Sequence, residues 1–325
     1  MRLVTIALCI LVSTHLAAQT SSIFKDDNFS KLRFAHRGGY GPEKTENTVS
    51  TIMKSLREGK NAIEIDVQFT KDQQLILFHD YSLERLLETD EVKETSSYTY
   101  NEIKQFPLRN KTDGEQYVAL LEDLVDSLVL MVPKLELKNF LLELDFKPHG
   151  AETKASVDEL LRIIDKHHTV FGDKLYEHFF ISTFYPDVLK YLDQIKNQTN
   201  KPIVTAFAVN NAPDNHKIAA NIAVFLSPII VKKYNVRILE PNICMLSPKY
   251  VRRWQKRGVL INAYTANRNC EKAYVKQFKL AYTTNCPGSD CEADPSDQLG
   301  PPKKWCKSWC KNYPNKNKKK WIVND

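Results

Sequence analysis

The chain has 325 residues, of which 42% are apolar and 26% are charged, and its formal net charge is +7. These fractions are typical of a globular protein and exclude an extended disordered chain, a collagen and a coiled coil. Residues 301–325 contain eight lysines and one acid, which accounts for the whole positive excess. A nucleic-acid-binding domain carries its charge over a folded face, so we expect no nucleic-acid partner.

The first 20 residues have the pattern of a secretory signal peptide. Arg2 precedes an apolar run, and small residues near Ala18 provide a cleavage site. The alternative is an uncleaved anchor, but Ser13-Thr14-His15 interrupts the run and leaves it short for a membrane span. No later segment approaches eighteen uninterrupted apolar residues. We therefore expect a secreted, soluble protein, or alternatively one in the lumen of the secretory pathway or the lysosome.

From residue 32 onward, strand-like apolar segments alternate with helix-like amphipathic segments. The predicted strands are Leu32–Ala35, Ala62–Phe69, Leu75–Phe78, Phe140–Phe146, Phe179–Thr183, Ile203–Val209, Ile243–Leu246, Val259–Tyr264 and Leu280–Thr283. The predicted helices are Asn47–Glu58, Leu121–Val129, Val157–His168, Asp187–Ile195, Pro248–Arg257 and Cys270–Phe278. Such alternation indicates an α/β fold with a parallel sheet, and eight units at this length favour a (β/α)8 TIM barrel.

Two details of this pattern remain open. Nine strands are one too many for eight places, and the short segment Ile243–Leu246, next to Pro241, is our candidate for the extra one. Only five residues join Ala62–Phe69 to Leu75–Phe78, too few for a crossover helix, so this pair is either a hairpin or a distorted barrel unit. An open doubly wound sheet is the rival fold, but the glycines after the first strand lack the spacing of a nucleotide-binding loop.

The cysteines predict disulfide bonds in the C-terminal part of the chain. Six cysteines remain after the predicted cleavage, at positions 244, 270, 286, 291, 306 and 310. An even number suggests pairing in an oxidising compartment, although six cysteines allow 15 pairings. We expect a signal peptide at 1–20, a barrel domain at 21–290 and a disulfide-stapled basic extension at 291–325. Sequons at Asn28, Asn110 and Asn197 fit a secreted glycoprotein.

Paired acids on two predicted strands indicate a cation site. Glu64 and Asp66 alternate with apolar residues and so point to one side of their strand, and Glu143 and Asp145 repeat the pattern, followed by Lys147. Burying unpaired charge is costly, which disfavours the alternative of ion pairs on a solvated face. Carboxylate oxygens suit one divalent cation, Ca²⁺ or Mg²⁺.

Two histidines follow apolar segments at corresponding strand ends. His36 and His79 at the same mouth as a cation favour a general acid and a general base over two structural histidines. Arg37 provides a planar fork suited to a phosphate. In a barrel these strand ends converge on one mouth, where active sites form.

These residues and their order closely resemble the glycerophosphodiester phosphodiesterase family, which belongs to the phospholipase C-like phosphodiesterase superfamily of TIM barrels. The resemblance covers roughly residues 31–290. It rests on His36-Arg37-Gly38-Gly39, Glu46-Asn47-Thr48, Ile63-Glu64-Ile65-Asp66-Val67, Thr70-Lys71-Asp72, His79-Asp80, Leu120-Leu121-Glu122-Asp123, Asp145-Phe146-Lys147, Ile181-Ser182-Thr183-Phe184, Tyr264-Thr265-Ala266-Asn267 and Thr284-Asn285-Cys286-Pro287.

The resemblance implies a role for each matching residue. Metal ligands would be Glu64, Asp66 and Asp145, with Glu143 as a further candidate, and the acid–base pair would be His36 and His79. The phosphate and the first loop would be held by Arg37, Lys147, Glu46 and Asn47. Three positions depart from the family: Asp145 stands where many members have Glu, Asn285 where Asp is usual, and Tyr264 where Trp is usual, which alters how the glycerol end packs.

The implied activity is metal-dependent hydrolysis of glycerophosphodiesters to glycerol 3-phosphate and an alcohol. One alternative is a lysophospholipase D, similar to the sphingomyelinase D-like relatives of this barrel, whose basic tail would bind an anionic membrane surface. An alternative of another class is a secreted barrel that binds phosphodiesters without catalysis. The expected partner is thus a small-molecule or lysolipid phosphodiester.

Overall fold

The computed structural model describes residues 22–39, 45–109, 117–135, 140–210 and 217–285. The strands are β1 (Arg33–Ala35), β2 (Ala62–Phe69), β3 (Leu75–Leu77), β4 (Leu141–Phe146), β5 (Phe179–Thr183), β6 (Thr205–Val209), β7 (Ile238–Pro241), β8 (Leu260–Ala263) and β9 (Ala281–Thr284). The helices of eight or more residues are α1 (Val49–Arg57), α2 (Leu121–Leu135), α3 (Thr153–Asp165), α4 (Pro186–Thr199), α5 (Lys217–Lys233), α6 (Pro248–Gln255) and α7 (Asn269–Gln277).

Three sequence predictions lie outside the described residues. These are the signal peptide at 1–20, the sequon at Asn110 and the extension at 291–325. Cys244 and Cys270 are both disulfide-bonded, and the other four cysteines of the predicted mature chain are not described. The stapled extension therefore stays a prediction. Within the described ranges, no helix has the length and hydrophobicity needed to cross a membrane.

Eight parallel strands close into a barrel. Each of the strands β4 to β9 pairs in parallel with the next one around the sheet, β2 pairs with β4, and β1 pairs with both β9 and β2. The predicted TIM barrel is confirmed. The ninth strand, β3, pairs antiparallel with β2 through Val67 and Leu77, so the hairpin alternative was the right one.

The segment Ile243–Leu246, our candidate for the extra strand, is not a strand. The chain there forms a single 3-10 turn, because the Asn242 side chain accepts a hydrogen bond from the backbone N–H of Cys244 and starts the turn. The true barrel strand, β7, comes just before it and was missed because Glu240 interrupts its apolar character. Helix α5 was also missed, since it is apolar around most of its circumference and carries Pro228 in its interior.

The helices begin where the sequence provides a cap. The Thr48 side chain accepts a hydrogen bond from the N–H of Thr51 at the start of α1. At the start of α6, the Ser247 side chain accepts one from the N–H of Tyr250. Proline occupies the first turn of α4 and α6, where its missing N–H leaves no hydrogen bond unmade. These starts set the direction in which each helix runs back along the barrel.

The bottom of the barrel interior is filled by apolar side chains. One residue from each of the eight barrel strands joins a single buried cluster, which is possible only inside the barrel: Phe34, Ala62, Leu141, Phe180, Ala206, Ile238, Leu260 and Ala281. Phe24 and Phe29, from the segment before β1, belong to the same cluster and close this end. The rings of Phe34 and Phe180 pack edge to face with centroids 5.6 Å apart.

The outward side chains of β2 pack against the helices. Ile63, Ile65 and Val67 share a buried cluster with Ile52 of α1 and Leu124 of α2. This confirms the predicted alternation, which leaves Glu64 and Asp66 on the interior side. The insert between β2 and α2 has its own small core, formed by Ile76, Phe78, Leu83, Leu87, Tyr98, Ile103, Leu108 and Val118.

Candidate active site

The upper half of the barrel interior is polar. Two residues beyond each member of the apolar layer, the strands carry mostly polar or charged side chains: His36, Glu64, Glu143, Ser182, Ala208, Glu240, Asn262 and Thr283. Two residues further again come Asp66, Asp145 and Tyr264. Since side chains repeat every two residues along a strand, all of these positions face the interior and its C-terminal mouth.

A tight turn after β1 brings Arg37 into the barrel. Arg37, Gly38 and Gly39 all have positive φ, at 49°, 85° and 83°. A Cβ on Gly38 would lie 2.9 Å from a side-chain carbon of Ile52, so glycine is required there on two grounds. The backbone N–H of Arg37 donates to Glu64 Oε2 at 2.7 Å. The turn therefore fixes the first of the predicted metal ligands.

Three carboxylates converge at the mouth. Glu64, Asp66 and Asp145 each offer one oxygen, and these oxygens lie within 4.8 Å of one another. The register pairs Asp66 directly with Asp145 on the adjacent strands β2 and β4. Lys147 Nζ lies 2.8 Å from Asp66 Oδ1 and 2.7 Å from Asp145 Oδ2. The structure thus brings together the three residues predicted to bind a metal.

The electrostatics of this cluster fit a bound cation. Burial, reinforced by the charges of Asp66 and Asp145, raises the pKa of Glu64 well above its usual range. Burial also disfavours ionised Asp66, but Lys147, His79, Arg37 and His36 outweigh it and hold the pKa of Asp66 well below its usual range.

One oxygen of the cluster has no protein partner. Asp145 Oδ1 is buried and accepts no hydrogen bond within the described residues. The donor set is made of oxygens alone, which Ca²⁺ and Mg²⁺ prefer. A divalent cation would compensate the charge of this carboxylate oxygen. The residues present therefore fit the predicted Ca²⁺ or Mg²⁺ ion.

Asn47 and Glu46 hold the cluster from the first loop. Asn47 Nδ2 donates to Asp66 Oδ2 at 2.8 Å, and the N–H of Asp66 donates to Asn47 Oδ1 at 3.0 Å. Glu46 accepts from Arg37 Nη1 at 3.2 Å, and Arg37 Nε lies 3.6 Å from Asp66 Oδ2. Arg37 is almost fully buried, so its charge is placed permanently beside the carboxylates.

Each predicted catalytic histidine is oriented by one neighbour. His36 Nδ1 is 2.6 Å from Asn285 Oδ1, and its Nε2 is 3.7 Å from Glu64 Oε2. His79 Nδ1 is 2.6 Å from Asp80 Oδ1. In both contacts an oxygen accepts from Nδ1–H, so the basic nitrogen of each neutral ring is Nε2. His79 follows β3, outside the barrel, but the N–H of the preceding residue, Phe78, donates to the Asp66 carbonyl at 3.1 Å, which brings this segment next to the cluster.

An ion-pair chain links His79 to Arg37. Arg85 Nη2 donates to Asp80 Oδ1 at 3.0 Å, and Arg85 Nη1 donates to Glu46 Oε2 at 3.0 Å. Burial opposes ionisation of Asp80, but hydrogen bonds from His79 and Arg85 lower its pKa to about 2. Asp80 is therefore a carboxylate at neutral pH and keeps the His79 tautomer fixed. Sequence reasoning missed Arg85, since its partner Glu46 lies 39 residues away and no periodicity marks it.

Glu143 belongs to a second buried group below the cluster. Asn262 Nδ2 donates to Glu143 Oε2 at 2.9 Å and to Glu240 Oε1 at 2.8 Å, while Ser182 Oγ donates to Glu240. Burial, followed by the charge of Glu240, raises the pKa of Glu143. Burial also raises the pKa of Glu240, to about 7. Glu143 lies directly opposite Glu64 in the register of β2 and β4, but it is not one of the three acids whose oxygens lie within 4.8 Å of one another. Its metal role stays a prediction.

The signal for Glu240 was present in the sequence but was not used. A single acid inside an otherwise apolar four-residue segment, Ile238–Pro241, is unusual unless it faces a polar interior. Asn262 has the same character in β8. Glu240 was missed because β7 itself was not predicted, whereas Asn262 lies in a strand that was predicted and was given no role there.

Comparison with known proteins agrees with this geometry. Residues 36–284 match the glycerophosphoryl diester phosphodiesterase family. Bovine glycerophosphodiester phosphodiesterase 1 is 24% identical over 282 residues, which are 79% of this chain and 78% of the relative. A human lysophospholipase D is 29% identical over 156 residues, 47% of this chain and 48% of the relative.

Solved structures share the fold. A phosphodiesterase from Oleispira antarctica, determined in complex with the product sn-glycerol-3-phosphate, superposes with a TM-score of 0.62 at 17% identity. The superposition covers 81% of this chain and 96% of that one. The family match runs from the end of β1 to the last residue of β9 and includes β2 and β4, the strands that carry the three carboxylates. The chain therefore belongs to the glycerophosphoryl diester phosphodiesterase family.

Proposed function

We propose that the protein is a secreted, metal-dependent glycerophosphodiester phosphodiesterase that releases glycerol 3-phosphate and an alcohol. One observation carries the proposal: His36 and His79 both lie next to the three-carboxylate cluster. His36 Nε2 is 3.7 Å from Glu64 Oε2, and the N–H of Phe78, which precedes His79, donates to the Asp66 carbonyl at 3.1 Å. Family membership and the product bound to the Oleispira antarctica relative support the reaction class.

The proposed cation ligands are Glu64, Asp66 and Asp145, which would hold one Ca²⁺ or Mg²⁺. When bound, such an ion neutralises charge on the phosphodiester and on its transition state. Arg37 and Lys147 add two permanent positive charges beside the same carboxylates. Burial lowers the pKa of Lys147, but Asp145 and Asp66 outweigh it and raise the pKa, so its ammonium group stays charged.

The proposed proton transfers involve the two Nε2 atoms. One imidazole accepts the proton of the attacking oxygen. If this oxygen belongs to water, glycerol 3-phosphate forms directly; if it is the 2-hydroxyl of the substrate glycerol, a cyclic phosphate forms first and water then opens it to glycerol 3-phosphate. The other imidazole donates a proton to the alcohol oxygen as its bond to phosphorus breaks. Asn285 and Asp80 keep both rings oriented, while Glu46 and Asn47 hold the loop that positions Arg37 and Asp66.

Product analysis tests this function. The full mature chain would be incubated with glycerophosphocholine, glycerophosphoethanolamine and glycerophosphoglycerol, each with Ca²⁺ and with Mg²⁺. We expect glycerol 3-phosphate and the free alcohol in at least one metal, and none in excess chelator. Binding of substrate without any product would instead support the non-catalytic barrel.

A lipid substrate is the second candidate. It is favoured by the similarity to a human lysophospholipase D and by the eight lysines in residues 301–325. Basic residues near an anionic bilayer contribute about 1 kcal/mol each to binding. The test is to assay lysophosphatidylcholine against glycerophosphocholine, with and without residues 301–325. A preference for the lysolipid that is lost on truncation would favour this candidate.

The proposed location is outside the cell, or in a secretory or lysosomal lumen. It is supported by the pattern of residues 1–20 and by the disulfide-bonded state of Cys244 and Cys270. Exposed sequon residues Asn28 and Asn197 are compatible with glycosylation. Expression in a eukaryotic secretory host followed by N-terminal sequencing tests cleavage near Ala18; an intact Met1 on a cell-retained protein would contradict it.

A further inference from the structure

Three aromatic rings stand at the edge of the site and have no role in the proposed chemistry. We call Tyr81, His149 and Tyr185 the aromatic rim. The hydroxyl groups of Tyr81 and Tyr185 are 2.7 Å apart. The ring of His149 stacks on that of Tyr185, with centroids 3.7 Å apart and planes within 3° of parallel. The rim thus joins the insert, which carries Tyr81, to the ends of β4 and β5.

The rim is held in place by backbone and side-chain hydrogen bonds. His149 Nδ1 donates to the Lys147 carbonyl at 3.0 Å. Asp187, in the first turn of α4, accepts from the N–H of Gly150 at 2.7 Å and from the Thr153 hydroxyl at 2.6 Å. These contacts fix the turn after β4, so the His149 ring is prearranged over Tyr185.

The rim lies next to the proposed phosphate site. His149 is two residues from Lys147, and Tyr81 directly follows Asp80, the partner of His79. Burial raises the pKa of the Tyr185 hydroxyl, as does its hydrogen bond to Tyr81, and the charges of Lys147 and Asp145 also act on it. The contact of His149 with the Lys147 carbonyl and the position of Tyr81 next to Asp80 put the rim beside two residues of the site, on the side where one alcohol group of a bound phosphodiester would lie.

Two carboxylates flank the rim. Glu94 pairs with Ser82 in a short antiparallel bridge, and the adjacent N–H of Thr95 donates to the Tyr81 carbonyl at 2.7 Å. Glu152 ends the helical turn that follows His149. Burial raises the pKa of Glu152. The charge of His149 acts to lower this pKa, and the charge of Glu94 raises it further. Both acids thus belong to backbone segments that adjoin rim residues, where they add negative charge.

We propose that the aromatic rim, with Glu94 and Glu152, binds a quaternary ammonium group on the leaving alcohol, which makes choline the preferred leaving group. The inference rests on the proposed function and deepens it. A cation within about 6 Å of an aromatic face is attracted by the ring quadrupole. The two tyrosine hydroxyls share one hydrogen bond with each other, and the ring faces attract a cation without needing an N–H from it. A trimethylammonium group has no N–H to satisfy, whereas the ammonium of ethanolamine does.

The first test compares kcat/KM for glycerophosphocholine and glycerophosphoglycerol. We expect the wild-type enzyme to prefer the choline ester, and Tyr81→Leu to reduce that preference about fivefold, the effect of losing one partly exposed cation–π contact. Tyr81→Phe keeps the ring and should keep most of the preference. Phe225→Leu, which removes an aromatic ring that is 81% exposed on α5, is the matched control and should change neither rate.

The second test measures binding without turnover. Titration of the wild-type protein with choline chloride should show saturable binding, with tetramethylammonium chloride competing and ethanolamine binding at least several-fold more weakly. Binding should weaken in Tyr81→Leu and in the double variant Glu94→Gln, Glu152→Gln, and should stay constant in Phe225→Leu.

The outcomes separate the two ideas. Hydrolysis of both diesters at equal rates, with no choline binding, overturns the rim inference and leaves the proposed function standing. Choline binding that depends on Tyr81, with no hydrolysis of any diester in either metal, overturns the proposed function but supports the quaternary ammonium site. Neither binding nor hydrolysis overturns both.

Discussion

The lower and upper halves of the barrel interior are built on the same eight strands but perform opposite tasks. In the lower half, one apolar residue per strand fills the space and the aromatic rings of Phe34 and Phe180 interlock. Two residues higher, acids, an amide, hydroxyls and an imidazole replace them. Burial of apolar surface stabilises the first layer, whereas desolvation destabilises the second. Residues two positions apart on the same strand therefore have different roles: one stabilises the fold, and the other belongs to the polar site.

The two halves also differ in what closes them. The segment before β1 covers the lower end with Phe24 and Phe29, and Arg237 fixes it by donating to the Phe24 carbonyl at 2.9 Å. At the upper end the charges are held by neighbouring ion pairs, such as Lys147 with Asp66. The lower half therefore excludes water, and the upper half keeps a polar mouth.

The largest expected effect is on turnover, from the upper half. His36→Ala and His79→Ala should each reduce kcat by about 10²–10⁴-fold, because each removes one proton transfer. The fold should persist, since both rings stand at the edge of the interior. Steady-state assays together with thermal unfolding by circular dichroism measure this. Near-wild-type turnover in both variants would refute the acid–base assignment.

The next effect is on stability, from the lower half. Phe180→Ala should lower the free energy of unfolding by about 3–5 kcal/mol, because it leaves a cavity in a fully buried layer. Denaturant titration measures the change, and kcat of the fraction that remains folded should stay close to wild type. Phe225→Ala, at an exposed aromatic residue, is the control and should change stability by less than about 0.5 kcal/mol. A similar loss in both variants would mean that the lower half is not the stabilising region.

Cation binding should sharpen the contrast, because the bound ion would stabilise the folded state through residues of the upper half. At a free Ca²⁺ or Mg²⁺ concentration about 100 times the Kd, the folded state should gain about 2.7 kcal/mol. Asp145→Asn should lose most of this gain, and Phe225→Leu should keep it. Calorimetric melting with and without chelator gives the comparison. A melting temperature that does not depend on either metal in the wild-type protein would argue against the cation site.

The smallest expected effect is a pH dependence of stability due to Glu240. Its pKa is raised from 4.5 to about 7, so the folded state binds the proton more tightly than the unfolded state. The associated stability is present below pH 4.5 and is lost as the pH rises through 7, by an amount on the order of 1–3 kcal/mol. Unfolding in chelator between pH 4.5 and 8 should show this slope in the wild-type protein and a flatter one in Glu240→Gln. Equal slopes would show that Glu240 ionises normally.

How much the sequence predicts depends on how local the signal is. The β2 bounds, Ala62–Phe69, were predicted correctly because apolar residues alternate with Glu64 and Asp66 over eight positions. The three-carboxylate cluster followed from that alternation together with the family resemblance. Arg85, Tyr185 and Glu240 were not predicted, because their roles depend on partners from other elements. Pairings such as Tyr81 with Tyr185, 104 residues apart, are set by the closed barrel and leave no local pattern.

The insert between β2 and α2 has a bearing on how this enzyme's selectivity could change. Alternate residues of β3 face two different cores. Leu75 and Leu77 pack into the core of the barrel, whereas Ile76 packs into the core of the insert. The segment is thus a self-packed module that carries His79, Tyr81 and Arg85. A replacement segment that kept the β3 pairing, His79 and Arg85 could be grafted without rebuilding the scaffold. Evolution or a protein engineer could in this way retune which head groups are accepted while the scaffold stays unaltered.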